Sequence, residues 1–152
     1  MSIPIWVGHY IGLPFKEHGR DRKGVDCWGL VRLIMAEQFG IALPSYATYY
    51  DSTTREDQLA PLIEEERRHW VPIEHGDEQF GDVVVLRMRG QPIHVGLVIE
   101  QGRMLHAEVG IGSVLDSYAS ARWTLRVTGF YRYGEIAIKG LADSLADRKS
   151  VV

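Results

Sequence analysis

The sequence predicts an α+β fold with N-terminal helices packed on a central antiparallel β-sheet. Three observations predict it. Segments with helix-spaced apolar residues lie in the first half of the chain. Short β-branched runs bounded by glycine and charge fill the second half, and helices followed by strands favour an antiparallel sheet. The composition, 152 residues with 45% hydrophobic and 24% charged, suits one domain with its own core.

The elements follow in order. Residues 4–11 read as a short helix, with Pro4 in its first turn and Trp6 and Tyr10 spaced i, i+4. Residues 12–25 are a loop rich in glycine and charge. Residues 27–39 carry Leu30, Val31, Ile34 and Met35 at helical spacing, and Gly40 supplies the stop. Residues 41–52 read as an extended loop holding Tyr46, Tyr49 and Tyr50. A second helix is expected over 54–68, with Thr53 and Glu56 as a capping box and Pro61 able to kink it. Strands are expected from Val83, over 94–100, over 103–109 and over 126–133. The domain is expected to span 1–134, with 135–152 a C-terminal extension.

The 17 Lys and Arg against 20 Asp and Glu leave a net charge of −3, so no basic excess asks for nucleic acid. No stretch approaches the roughly 20 apolar residues of a membrane helix, so no membrane insertion is expected. The first fifteen residues hold no Lys or Arg, and Gly8, His9 and Tyr10 interrupt any apolar segment, so no secretory signal is read. The expectation is synthesis in the cytoplasm, with any outside destination reached by another carrier.

Cys27 is the single cysteine, which excludes an internal disulfide and the multi-cysteine zinc sites. No metal and no cofactor is expected. A lone cysteine is either a small buried hydrophobe or a reactive thiol. Cys27 follows Asp26 at a helix start, where the positive end of the dipole is expected to lower a thiol pKa. A thiol nucleophile needs a base, usually histidine. His9, His18, His69 and His75 have charged or loop-like neighbours and read as surface residues. His94 and His106 lie in apolar strands, where a polar ring needs a partner. That partner is a backbone group in one reading and the other histidine in a second. A strict two-residue turn at Gln101–Gly102 would put the two rings on opposite faces. A three-residue turn, or a bulge of the same effect, would set Gly96 opposite His106. The histidines would then be diagonal neighbours on one face, roughly 7–8 Å apart by Cα. Gly96 and Gly29 leave room for a site or serve packing alone.

The runs Asp26-Cys27-Trp28-Gly29-Leu30-Val31, Gly81-Asp82-Val83-Val84, His94-Val95-Gly96-Leu97-Val98 and His106-Ala107 resemble those of the NlpC/P60 cysteine peptidases, in the same order. The run from Cys27 to Arg32, the run from Phe39 to Tyr46 and the run from Thr128 to Tyr133 are similar to the tail-tip endopeptidases of long-tailed bacteriophages.

The resemblance implies a papain-like fold and a peptidoglycan endopeptidase. Cys27 would be the nucleophile, its backbone N–H an oxyanion donor, His94 the general base and later acid, and His106 the orienter of His94. Phe15, Asp26, Trp28, Gly96 and Tyr46 would frame the substrate. The substrate would be bacterial peptidoglycan, cut at a stem-peptide amide such as γ-D-glutamyl–diaminopimelate. The partners would be other phage tail-tip proteins, the location a virion tail tip acting on the cell wall, and residues 135–152 a tail-assembly contact. Alternatives are a structural tail-tip component with weak activity, an acyltransferase, or a bacterial amidase toxin. The pattern departs at Gly12-Leu13-Pro14-Phe15, where many relatives carry tyrosine. A phenyl ring donates no hydrogen bond, so either Tyr10 or His18 supplies one, or catalysis is weaker.

Overall fold

The computed structural model describes residues 3–88 and 91–134. The expected extension at 135–152 lies outside the described residues. A 3-10 helix at Ile5–Tyr10 replaces the expected first helix, and Trp6 and Tyr10 meet edge-on at 5.6 Å. The glycine-rich loop contains a small hairpin, β1 (Arg20–Asp21) and β2 (Gly24–Val25). Helix α1 (Cys27–Phe39) has the expected bounds, and Gly40 closes it in the left-handed region at φ 67°. Helix α2 (Glu56–Glu66) is shorter than expected and runs into a 3-10 turn at Arg67–His69. Its capping box does not form. Arg55 is the N-cap without a side-chain bond, because the Thr53 hydroxyl donates to Glu17 instead.

The sheet has six antiparallel strands: β3 (Trp70–Ile73), β4 (Val83–Met88), β5 (Gln91–Glu100), β6 (Arg103–Glu108), β7 (Gly112–Ser117) and β8 (Val127–Tyr133). Their order is β3-β8-β4-β5-β6-β7. Sequence reading missed β3 and β7. Strand β3 tolerates Pro72 because it is an edge with one partner. Asp82 is buried ahead of β4 and held by Arg132 of β8 at 2.8 and 2.9 Å.

Alternation along the strands divides the core. Val83, Val85, Val95, Leu97, Leu105 and Ala107 pack with α1 through Leu30, Val31, Ile34 and Met35. Val84, Leu86, Val98 and Met104 face the other way, onto Tyr118, Trp123 and Phe130. The β5–β6 turn resolves the face of the two histidines. It is a two-residue turn, Gln101–Gly102, closed by Glu100 opposite Arg103. A bulge at Ile99 then shifts the register, so that Leu97 lies opposite Leu105. Continuing this register sets Gly96 opposite His106, and His94 and His106 share the face away from α1. Among the described residues, no helix is long and apolar enough to cross a membrane.

Candidate active site

Cys27 is the first residue of α1, and Asp26 caps that helix by accepting from the Gly29 N–H at 2.8 Å. Asp26 is fully buried. Arg20 donates to it at 2.7 Å, the Tyr50 hydroxyl donates to it, and the His18 backbone N–H donates at 3.1 Å. The carboxylate therefore ties hairpin, helix and tyrosine loop together beside Cys27. Gly29 is needed for the same junction, since a Cβ there would lie 1.9 Å from the Gly19 carbonyl oxygen.

The electrostatics at the thiol reverse one expectation. Burial, followed by the neighbouring Asp26 charge, pushes the Cys27 thiol up to about 12. Hydrogen bonds from the Val95 and Trp28 backbone amides and the charge of Arg20 pull the other way and lose. The helix start does not produce a resting thiolate.

Cys27 and His94 line one cleft of about 330 Å³, with Phe15, Thr53, Thr54 and Glu108 also on its walls. His94 Nε2 lies 2.8 Å from His106 Nδ1. Nδ1 of His94 takes no part in that contact, and His94 shares the cleft with Cys27. His106 Nε2 donates to Asp116 Oδ2 at 3.1 Å, and Trp123 Nε1 donates to the same oxygen at 3.0 Å. The Trp123 ring stacks on His94 at 5.6 Å and 13°, and meets His106 edge-on at 5.4 Å. Burial first, then the charges of His106 and Arg122, pull His94 down to about 3. Burial also lowers His106, although Asp116 and Glu108 work against it. Burial opposes the Asp116 carboxylate, but bonds from His106, Trp123 and the Ser117 amide hold it below the usual range. At neutral pH the site therefore holds a thiol, two neutral imidazoles and a carboxylate.

The remaining residues singled out from the sequence fall elsewhere. Phe15 lines the cleft. Trp28 and Tyr46 line, together with Cys27, a second and apolar cavity of about 60 Å³. The Trp28 indole donates to the Pro44 carbonyl at 2.8 Å, and the Tyr46 hydroxyl donates to Glu66 at 2.6 Å. Asp26 is a cap and Gly96 a packing position: a Cβ on Gly96 would lie 3.0 Å from the Met104 sulfur and 3.3 Å from the His106 Cβ. Neither lines the cleft. Tyr10 cannot replace the missing tyrosine, since it is buried and its hydroxyl donates to Glu37 at 2.7 Å. The His18 ring is engaged with the Tyr50 carbonyl at 2.8 Å. Thr53 and Thr54 are the hydroxyls that line the cleft; from the sequence Thr53 is expected only as a helix cap, and Thr54 has no assigned role. Asp116 and Trp123 were missed as well. Asp116 sits in the unrecognised strand β7, directly across from Met104.

His106, Glu108 and Asp116 converge, but each is engaged within the protein. Glu108 forms a paired contact with Arg122, and Asp116 accepts from His106, Trp123 and Ser117. The cluster reads as a hydrogen-bond and ion-pair network.

The curated relatives carry endopeptidase names, one of them a murein enzyme. The chain is 27% identical over 115 residues to the murein DD-endopeptidase MepS/murein LD-carboxypeptidase of Escherichia coli K12, covering 76% of this chain and 53% of that protein. It is 26% identical over 117 residues to a probable endopeptidase of Haemophilus influenzae, covering 76% of this chain and 63% of that one. The chain thus spans between half and two thirds of the length of these relatives. In fold it is similar to an NlpC/P60 family protein from Bacillus cereus ATCC 10987, with a TM-score of 0.64 and 22% identity over 83% of this chain and 37% of that one. The sequence profile of the NlpC/P60 family matches residues 12–132, which take in Cys27, His94, His106 and Asp116, and the chain belongs to that family.

Proposed function

We propose that this chain is a cysteine peptidase that hydrolyses stem-peptide amide bonds of bacterial peptidoglycan. The observation that carries the reading is one cleft holding Cys27 and His94, with His106 and Asp116 hydrogen-bonded in line behind His94. The cleft walls are largely apolar around a few polar groups, the general character of a ligand cleft. The murein endopeptidase name of the Escherichia coli relative supports the substrate class.

Cys27 would attack the scissile carbonyl as its thiol proton passes to His94 Nδ1, forming the carbon–sulfur bond. The Cys27 N–H, at the first position of α1, has no partner within the helix and is suited to the oxyanion. His94 then returns the proton to the leaving amine as the carbon–nitrogen bond breaks. Water, activated by His94, hydrolyses the thioester and frees the acid. Because the free enzyme keeps its proton on sulfur, proton transfer accompanies attack rather than preceding it.

The bond we assign is γ-D-glutamyl–diaminopimelate, and the setting a phage tail tip that carries the enzyme to the wall. The runs at Phe39–Tyr46 and Thr128–Tyr133 support that setting. The test is incubation of peptidoglycan fragments with wild type and Cys27→Ala across pH 5–9, with new termini identified by mass spectrometry. Cleavage at that amide by wild type alone is expected. Fragments left intact by both proteins would remove the peptidase reading. Cleavage at another amide would remove only the bond assignment. In a phage bearing Cys27→Ala, assembly of complete virions that fail to open the wall is the expected result. Loss of assembly would instead favour an architectural role.

A further inference from the structure

We propose that Asp116 is a positioning residue that selects which nitrogen of His94 carries its proton, acting through His106, with Trp123 holding the carboxylate in place. The inference rests on the reading of His94 as the base for Cys27.

The chain of donors and acceptors leaves one solution. An ionised carboxylate only accepts hydrogen bonds, and an indole N–H only donates. Asp116 Oδ1 accepts from the Ser117 N–H at 2.8 Å, and Oδ2 accepts from Trp123 Nε1 at 3.0 Å. Oδ2 must also accept from His106 Nε2 at 3.1 Å, so neutral His106 carries its proton on Nε2. His106 Nδ1 is then a lone pair, and the hydrogen in the 2.8 Å contact comes from His94 Nε2. Neutral His94 therefore has its lone pair on Nδ1, where a thiol proton can be taken. A donor in the place of Asp116 would reverse every step and put a proton on His94 Nδ1, leaving Cys27 without a base. Trp123 adds orientation, since its ring lies against both imidazoles.

The other charged groups around the pair are Glu108 and Arg122. Glu108 Oε2 lies 3.9 Å from His106 Nε2, beyond hydrogen-bond distance, and is turned to Arg122 at 3.0 Å. Neither competes for the His106 proton.

The test has a readout that needs no substrate. Long-range proton–nitrogen correlation on ¹⁵N-labelled protein at pH 7.5 should show both His94 and His106 in the Nε2–H form. In Asp116→Leu the selection is lost, and the Nδ1–H form of His94 should appear. A wild-type His94 in the Nδ1–H form, or unchanged tautomers in Asp116→Leu, overturns the proposal. If Asp116→Leu does not fold, the wild-type spectrum alone decides it. Activity supplies the second arm. Asp116→Leu should lose on the order of 100-fold in kcat/KM, the scale of a general base. Asp116→Asn keeps an oxygen toward Trp123 and His106, so it should retain the tautomers. Its lost charge should shift the acid limb of the pH profile to lower pH. An acid limb unmoved in Asp116→Asn would reduce the residue to a structural one and overturn the proposal. Correct tautomers with no cleavage by wild type would instead remove the peptidase reading and leave the proton assignment standing.

Discussion

His94 makes the stability of this protein depend on pH in a way that can be worked through. In an unfolded chain a histidine takes up its proton near pH 6.5, whereas folded His94 is held down to about 3. Between those values the unfolded chain binds a proton that the folded chain refuses. A depressed pKa therefore contributes stability that is fully present above about 6.5 and is lost as pH falls toward 3. Each unit corresponds to ~1.4 kcal/mol. Lowering the pH from 7.5 to 4.5 crosses two units below 6.5, so the loss from His94 is about 3 kcal/mol. That is a large part of a stability on the order of 5–15 kcal/mol. His106 acts in the same direction, so the wild-type slope alone would mix the two. The comparison is with His94→Gln, whose amide can still donate to His106 Nδ1 but takes up no proton. Urea unfolding followed by tryptophan fluorescence should show the advantage of wild type over His94→Gln shrinking by about 3 kcal/mol between pH 7.5 and 4.5. A difference between the two proteins that stays constant over this range would refute the burial-driven suppression of His94.

Two further perturbations probe the same site from the cysteine side. Gly29→Ala places a Cβ 1.9 Å from the Gly19 carbonyl oxygen, a backbone atom that cannot swing aside. A loss of about 3 kcal/mol, and so a fall in Tm of roughly 5–10 °C, is expected. Gly8→Ala, with open space around it, should leave Tm unchanged; equal Tm values for both variants would contradict the packing. The raised thiol of Cys27 predicts slow alkylation by iodoacetamide at pH 7.5, slower than free cysteine, with the rate climbing about tenfold per unit from pH 8 to 11. A rate already at its plateau near neutrality would reveal a resting thiolate and refute the neutral pair.

Much of the site is legible in the sequence where local rules act alone. Asp26 and Gly40 mark both ends of α1 because a cap and a left-handed stop are chemical requirements of a helix. The parity of His94 and His106 is legible only as a choice, since one bulged residue decides which face they share. That bulge, at Ile99, leaves no mark of its own in an apolar run. Strand β7 is illegible for a different reason. Gly112, Ser113, Asp116 and Ser117 give no strand pattern, and the segment is a strand because β6 lies beside it. Its outer edge is closed by Gly12 and Leu13, which exchange bonds with Ser113 at 2.8 and 2.9 Å. Asp116 and Trp123 were therefore beyond reach of motif reading, because tertiary pairing alone brings them behind His106.

The thiol shows why position in a helix is an incomplete guide to reactivity. The dipole argument counts the amides at the start of α1 but not the residue that caps them. Asp26 satisfies the Gly29 amide, and in doing so sets a buried negative charge beside the sulfur. A resting thiolate there would lack water and face a carboxylate, so the thiol form is favoured. In the proposed reaction, activation would belong to the moment of attack, when charge leaves sulfur for the carbonyl oxygen and a proton arrives on His94. The imidazolium so formed would be stabilised through His106 by Asp116, an interaction that is weak with neutral rings and strong with a charged one. An arrangement that suppresses the charged pair at rest and supports it during the proposed reaction would confine the reactivity of Cys27 to a cleft occupied by substrate.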